Sequence, residues 1–474
     1  MNINTYRDLI ADKAVRFSPS GMKTVPRLHG AMFPHQRSST EFALRAGCSG
    51  LFLATGLGKS LCSLEWGRVV VEHTNKSCLM LAPLAVSKQH EREAAKFGID
   101  AKAIRDPSEI KGKRIYITNY ERLDKFADLV KAGKFGSVVL DESSILKSYG
   151  GKTSRALIEL FAGMQWKLSA TATPAPNDHM ELGQQAEFLG CMRSMEMLSR
   201  WFINDTATAS QVWRLKGHAV EGFWDWVASW ARCVTRPSDL GFDDDAFRLP
   251  ELVTTTHLVE ADRSINTGAE KDGQARLFRL PETSATSMHA EKRLTADARA
   301  QCIANLVQKE PDEPWIIWVD TGYEAEPVME AISGAVEVAG NMPADEKEEK
   351  LVAFSVGEIS RLVTKASIAG YGLNWQHCSR MAFAGLSFSF ESYHQAVRRC
   401  WRFGQERPVH VHIAMADTEK AIIDVVTRKH DDFETMGQAM RAAMLRAAGK
   451  SAVARERYEP KQKVKIPSFM GATT

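Results

Sequence analysis

The segment from Leu53 to Ser60, with the sequence LATGLGKS, places the strongest constraint on what this chain can fold into. It follows the apolar residues 50–53 and precedes residues 61–71, whose apolar positions suit a helix. A strand, a glycine-rich turn, Lys-Ser and a helix together predict a phosphate-binding loop, because glycines let backbone N–H groups point at phosphate oxygens. The predicted loop residues are Thr55, Gly56, Leu57, Gly58, Lys59 and Ser60.

The residue types in this loop suit the binding of a nucleoside triphosphate. Lys59 would reach the outer phosphates, and the hydroxyl of Ser60 would be a ligand of Mg²⁺. The following helix would add its N-terminal N–H donors and the positive end of its dipole. The strict pattern has a glycine six residues before the lysine, where this chain has Leu53. The alternative is a glycine-rich turn with a surface lysine, and the rest of the chain decides between the two.

Composition sets the class of protein in which this loop lies. The 474 residues are enough for two or three domains, and 44% apolar with 25% charged residues is typical of a soluble globular protein. The net charge of +3 means that any polyanion must be held by local patches. The 8 cysteines form no Cys-x-x-Cys pair, which argues against a zinc site or a disulfide framework. With no signal pattern and no membrane-length apolar run, we expect no membrane association and a cytoplasmic protein, in the host cytoplasm if it is viral.

Strands alternate with helices on both sides of a less regular middle region. In the first unit, strands are predicted at 77–83, 114–120, 137–140 and 165–168, and a helix at 86–97. In the second, strands are predicted at 315–319, 335–339, 361–364, 381–384 and 409–414, and helices at 323–332, 345–354, 390–401 and from about 419. This alternation predicts an α/β protein with two parallel sheets, each covered by helices and with its chemistry at the strand carboxyl ends.

Carboxylates and an amide near the predicted loop are candidates for nucleotide chemistry. Asp141 and Glu142 follow a strand directly, so one could orient hydrated magnesium and the other take a proton from the attacking water. The alternative, a solvated acidic turn, is disfavoured by the strand and by the spacing from the loop. Gln36 lies just upstream, and its carboxamide matches the edge of adenine. An ordinary glutamine at a helix start fits Gln36 equally well.

The second unit offers cations, and the middle region offers aromatic residues. Arg399 and Arg402 would share one face of the predicted helix 390–401 and could reach a γ-phosphate across a cleft; the alternative is a solvated basic face. The stripe from Phe223 to Trp230 could stack on bases, although such a stripe more often belongs to a core. Residues 261–290 predict an extended connector.

Together these segments resemble, in order, the motifs of a superfamily-two helicase, and within it the Swi/Snf-type (DEAD/DEAH-like) DNA-dependent ATPases, in a minimal bacterial or viral form. The matching segments are Gln36, 54–60, 81–83 with 91–93, 117–121, 141–147, 169–182, 370–374 and 395–405. The chain departs from the family pattern at Ser143 and Ser144, where Ala-His is usual, and at Arg398, where glycine is usual.

The resemblance implies two RecA-like lobes, a P-loop NTPase helicase core, separated by a helical insertion and connector. It implies the division 1–30 (N-terminal extension), 31–190 (ATP-binding lobe), 191–310 (insertion and connector), 311–446 (second lobe) and 447–474 (basic tail). It implies ATP and Mg²⁺ as ligands, with Lys59, Asp141, Glu142, Arg399 and Arg402 as catalytic residues, Ser60 and Asp141 as metal residues, and Gly372 as a further nucleotide contact.

The function implied is an ATP-dependent DNA helicase or translocase. An RNA helicase on the same lobes is the nearest alternative. The motor subunit of a restriction or defence complex is another. A nucleotide-gated binding protein with negligible turnover belongs to a different class, and the complete set of catalytic residues argues against it.

Overall fold

The computed structural model describes residues 19–83, 86–148, 150–176, 178–205, 212–260, 292–369, 374–387, 389–416 and 420–448. The predicted connector 261–290, Gly372 and the tail from residue 449 lie outside the described residues.

The first lobe is built on a parallel sheet. Its strands are β1 (Cys48–Leu53), β2 (Ser77–Ala82), β3 (Ala101–Ala103), β4 (Ile115–Asn119), β5 (Phe135–Asp141), β6 (Trp166–Ala170) and β9 (Ala231–Val234). They lie in the order β3-β4-β2-β5-β6-β1-β9, and every pairing is parallel. Strands β1, β2, β4 and β6 are buried along their whole length, as expected of a sheet covered on both faces.

Eight helices and a hairpin accompany this sheet among the described residues. The helices are α1 (Pro34–Ala46), α2 (Lys59–Thr74), α3 (Ser87–Lys96), α4 (Leu123–Lys131), α5 (Lys152–Leu160), α6 (Leu182–Leu189), α7 (Ser194–Trp201) and α8 (Val220–Trp230). The antiparallel hairpin is β7 (Phe202–Asp205) and β8 (Val212–Leu215). The aromatic stripe of α8 is buried in the core of this lobe, so the structural interpretation of the stripe is confirmed.

The second lobe repeats the design without a phosphate loop. Its strands are β10 (Leu252–Val259), β11 (Trp315–Val319), β12 (Val336–Val338), β13 (Arg361–Lys365), β14 (Arg380–Phe383) and β15 (Val409–Ala416). They form a parallel sheet in the order β10-β15-β14-β11-β13-β12. Its helices are α9 (Ala296–Lys309), α10 (Gly322–Ala331), α11 (Ala344–Ser355), α12 (Ala366–Ala369), α13 (Phe390–Val397) and α14 (Lys420–Ala448).

The α/β prediction of two parallel-sheet lobes is confirmed. The middle region contributes more than helices, because β9 completes an edge of the first sheet and β10 an edge of the second.

The predicted helix 390–401 is too long, since α13 ends at Val397. The chain turns after Val397, and within this turn Trp401 donates from Nε1 to the carbonyl of Pro250 at 2.7 Å and Gln405 donates from Nε2 to the carbonyl of Cys400 at 3.3 Å.

The long helix α14 joins the two lobes. It follows the last strand of the second sheet, yet Met440 and Met444 pack into the core of the first lobe beside α8. Among the described helices, none combines the length and apolarity needed to span a bilayer.

Candidate functional site

The predicted phosphate loop forms the turn between β1 and α2. Gly58, the residue that caps the N-terminus of α2, has φ 80°, and Gly56 has φ 96°, both in the region that favours glycine. A Cβ on Gly58 would lie 2.1 Å from Nε2 of Gln36, so a side chain there is excluded by space as well as by backbone conformation. The loop is therefore shaped by its two glycines and by Gln36 beneath it.

Gln36 is buried and bonded within the protein at both ends of its amide. Its Nε2 donates to the carbonyl of Leu57 at 2.9 Å, and its Oε1 accepts from the backbone N–H of Phe33 at 3.0 Å. In this arrangement Gln36 ties the helix start to the phosphate loop. Its contact with adenine stays a prediction.

Glu142 lies in the left-handed region, with φ 53° and ψ 54°, which costs a residue with a Cβ about 1–2 kcal/mol. This turn after β5 brings its carboxylate back towards the phosphate loop. Oε1 of Glu142 lies 3.0 Å from Nζ of Lys59, and Oε2 accepts from the hydroxyl of Thr171 at 3.2 Å. The structure thus brings together the predicted lysine, the predicted base and the segment after β6.

Asp141, the last residue of β5, is held from both sides. The hydroxyl of Tyr120 donates to its carbonyl at 2.7 Å, and Nε2 of His90 lies 2.8 Å from its Oδ2. Burial raises the pKa of Asp141, but His90 and Lys59 outweigh that effect and leave the pKa below its ordinary value, so the side chain is an anion. Its Oδ1 has no hydrogen-bond partner among the described residues.

Neither His90 nor its contact with Asp141 was foreseen from the sequence. His90 lies on α3, which follows β2, and β2 pairs with β5 in the sheet. The usable signal is that the carboxyl ends of neighbouring parallel strands meet, so a polar residue early in the helix after β2 can reach the end of β5.

Arg399 and Arg402 follow α13 in a turn, so they do not share a helical face as predicted. Arg399 is buried, and its carbonyl accepts from the backbone N–H of Trp375 at 3.1 Å. Burial lowers the pKa of Arg402, and the charge of Glu93, on α3 of the first lobe, acts in the opposite direction. The guanidinium of Arg402 therefore interacts electrostatically with Glu93 of the first lobe.

The residue after Arg402 rests on the phosphate loop. A Cβ on Gly56 would lie 2.9 Å from the backbone nitrogen of Phe403. The ring of Phe403 lies 4.8 Å from that of Phe247 and 6.4 Å from that of Phe33. Three distant segments thus form an aromatic cluster at the mouth of the cleft, which no periodicity in the sequence indicates.

A second contact joins the lobes beside Asp141 and Glu142. Glu391, buried on α13, forms an ion pair with Lys147 and accepts from the hydroxyl of Thr173 at 3.5 Å. Lys147 closes the short helix after Glu142, and Thr173 follows β6. This carboxylate from the second lobe therefore contacts the segments that follow β5 and β6 in the first lobe.

The residues present fit Mg²⁺ held together with phosphates. Asp141 offers a buried anionic oxygen that has no partner in the part of the chain that the structure describes, and Ser60, partly buried in the first turn of α2, offers a hydroxyl. Magnesium is usually bound through one or two carboxylates plus substrate phosphates rather than by an all-protein cage. The described ranges hold no group of three or more His, Cys, Asp or Glu able to hold a metal.

Two parallel α/β lobes, a phosphate loop and paired carboxylates facing the second lobe define a two-lobed P-loop nucleotide-binding protein. Residues 56–220 match the SNF2-related domain, and residues 298–404 match the helicase conserved C-terminal domain. No curated protein matches the chain. The chain belongs to the superfamily-two helicases of Swi/Snf type. Its domains imply an enzyme that uses ATP and binds nucleic acid.

Proposed function

We propose that this chain is an ATP-driven DNA translocase. The observation that carries the proposal is the contact of the second lobe with the phosphate loop, where Phe403 rests on Gly56 one residue after Arg402. A motor of this kind needs the second lobe to respond to the nucleotide that the first lobe holds. We propose the lobe division 31–190 and 311–446, with β9 and β10 of residues 191–310 completing the two sheets.

The residues of the cleft are proposed to divide the work of hydrolysis. Lys59 holds the outer phosphates, and Ser60 and Asp141 hold hydrated Mg²⁺. The metal would neutralise phosphate charge when bound. Phosphate oxygens compete with Glu142 for the ammonium of Lys59, so phosphate binding releases Glu142 to accept a proton from water.

Arg399 and Arg402 are proposed to supply positive charge from the second lobe. The guanidinium of an arginine stays protonated at neutral pH even when burial lowers its pKa, so Arg402 keeps its charge in the cleft. The lobes would approach on the triphosphate and separate after hydrolysis. Contacts with DNA are proposed to be mainly to phosphates, with little sequence preference.

The test is ATP turnover by the full chain with duplex DNA, single-stranded DNA or RNA, at several salt concentrations. We expect DNA to stimulate turnover most, with an affinity that falls steeply as salt rises. Stimulation by RNA alone would replace the proposal with an RNA helicase, and absence of turnover with every nucleic acid would contradict both.

Three variants test the residue roles. Lys59→Ala and Glu142→Gln should abolish turnover while the circular dichroism spectrum is unchanged. Arg402→Ala should reduce turnover and leave the affinity for ATP nearly unchanged, because the arginine acts in the closed state. A larger loss of affinity than of rate would contradict that role.

A further inference from the structure

We propose that His90 is a positioning residue for the metal-facing carboxylate Asp141. The inference rests on the proposed hydrolysis of ATP and adds a residue outside the predicted catalytic set. Both side chains are buried, and Nε2 of His90 lies 2.8 Å from Oδ2 of Asp141. An ionised carboxylate only accepts hydrogen bonds, so Nε2 carries the proton and donates.

The bond decides which oxygen of Asp141 is available. Oδ2 is occupied by His90, whereas Oδ1 is buried without a partner among the described residues. A carboxylate fixed by one oxygen cannot rotate freely about its last bond, so its second oxygen keeps one direction. Groups that orient a metal ligand in this way are typically worth 10–100-fold in metal affinity or activity.

The fold explains why a histidine can reach this position. Residue 90 lies in the first turn of α3, whose backbone is joined there by the bond from the N–H of His90 to the carbonyl of Val86 at 3.0 Å. Strand β2, just before α3, pairs in parallel with β5, so the imidazole meets the end of β5. Tyr120, from the end of β4 on the far side of β2, holds the main chain of Asp141. Backbone and side chain of Asp141 are thus fixed by separate partners.

The experiment compares nucleotide binding with and without metal in the full-length protein. Wild type, His90→Ala and His90→Gln are titrated with Mn²⁺ in the presence of ADP, and bound Mn²⁺ is measured by electron paramagnetic resonance. ADP binding in EDTA is measured in parallel. The matched control is His73→Ala, an exposed histidine at the other end of α2, about 21 Å along the helix from Lys59.

We expect His90→Ala to need at least tenfold more Mn²⁺ for half-saturation, with ADP affinity in EDTA within twofold of wild type. His90→Gln retains an N–H donor and should recover part of the loss; it also carries the test if the alanine variant does not fold. The inference is overturned if His90→Ala keeps the wild-type Mn²⁺ dependence, or if ADP affinity in EDTA falls by the same factor. If wild type binds Mn²⁺-ADP but never hydrolyses ATP, the proposed function fails while the Mn²⁺ comparison still decides the role of His90.

Discussion

Gly58 shows how tightly single residues constrain the phosphate loop. Its φ of 80° strains any residue with a Cβ, and the space a Cβ would need is taken by the amide of Gln36. Gln36 cannot move away without losing its bonds to Leu57 and Phe33. The conformation of the phosphate loop and that of the start of α1 therefore depend on each other.

The first prediction separates the effect of the positive φ of Gly58 from the effect of the space that Gln36 occupies. Gly58→Ala should lower ATP affinity at least tenfold, because Gln36 and the loop must shift. Gly98→Ala is the control, since Gly98 has φ 63° but nothing within 4 Å of its Cβ position. The control should lose about 1–2 kcal/mol of stability and keep its ATP affinity. Fluorescent-nucleotide titration and chemical denaturation measure the two quantities, and equal affinities for both variants would contradict the prediction.

His394 gives the protein a predictable sensitivity to acid. Burial lowers the pKa of His394 well below 6.5, and Arg398 and His430 lower it further. The folded protein therefore keeps this ring neutral, whereas the unfolded chain binds a proton near pH 6.5. Since the folded pKa is the lower one, the stability contribution is complete above pH 6.5 and is lost as the pH falls below it.

The second prediction follows from that sign. At pH 5.5 the wild type should have lost about 1.4 kcal/mol of unfolding free energy through His394 alone. His394→Gln should lose correspondingly less between pH 7.5 and 5.5. His218→Gln, at an exposed position, is the control and should follow the wild type. A His394→Gln curve parallel to the wild type would show that another group is responsible.

At the scale of single residues, the sequence indicated which residues lie in the cleft better than it indicated their conformations and contacts. The loop and the carboxylates were predictable because their neighbours in sequence define them. The left-handed conformation of Glu142 was not, because side chains distant in the chain hold it, among them Lys59 and Thr171. His90 was missed for the same reason, since only the pairing of β2 with β5 brings it to Asp141.

Among the elements, the central strands were predictable, whereas the edge strands β3, β9 and β10 were not. The fourth edge strand, β12, was predicted at 335–339 and is confirmed. Residues 315–319 form β11 as expected, because a run of buried apolar residues is a local signal. Strand β9 has four residues directly after a helix, and β10 is half exposed. Both are defined by their partners, β1 and β15, which lie more than 140 residues away along the chain. Such contacts leave no periodicity to detect.

Helix α13 places one buried carboxylate between the lobes. Glu391 contacts Lys147 and Thr173, which follow the two strands that end at the cleft. Removing one partner of such a pair leaves the other charge without compensation. Through Glu391, the position of the second lobe should therefore depend on Lys147, which lies a few residues after Glu142.

The third prediction is a double-mutant cycle on this pair. Lys147→Glu and Glu391→Lys should each lower DNA-stimulated turnover, and the double variant should recover part of it, with a coupling energy of about 1–3 kcal/mol. Lys88 and Glu348 form the control pair, because they also join the lobes, at 3.5 Å, but their side chains are 51% and 42% exposed. Their coupling should stay below about 1 kcal/mol. Additive losses for Lys147 and Glu391 would exclude coupling through this contact.

For the whole molecule, α14 is the element that both lobes share. Near its middle, Phe433 packs against Phe390 of the second lobe, with ring centroids 5.5 Å apart. Farther along, the sulfur of Met444 accepts from the backbone N–H of Cys233 at 3.2 Å, and Arg441 donates to the hydroxyl of Thr235 at 3.1 Å. One helix thus connects the second sheet to β9, at the edge of the first.

The fourth prediction concerns this connection. Met440→Ala or Met444→Ala should lower the stability of the first lobe by about 2–5 kcal/mol, because each buried side chain leaves a cavity. Leu445→Ala, on the same helix but 59% exposed, should change stability by less than about 0.5 kcal/mol. Denaturation followed by tryptophan fluorescence measures both, since three of the tryptophans lie on α8.

If α14 connects the lobes mechanically, the same methionine variants should also change the distance between them. Dyes on exposed positions of the two lobes should report a broader distribution of separations in single-molecule energy transfer, together with a several-fold higher ATP concentration for half-maximal turnover. Both changes follow because, in the variants, closure of the lobes would have to order α14, whereas in the wild type this helix is already held in place. If the distribution and the ATP dependence stay as in wild type while stability falls, α14 does not couple the lobes, and the coupling passes through other contacts, such as those at Gly56 and Glu391 in the cleft.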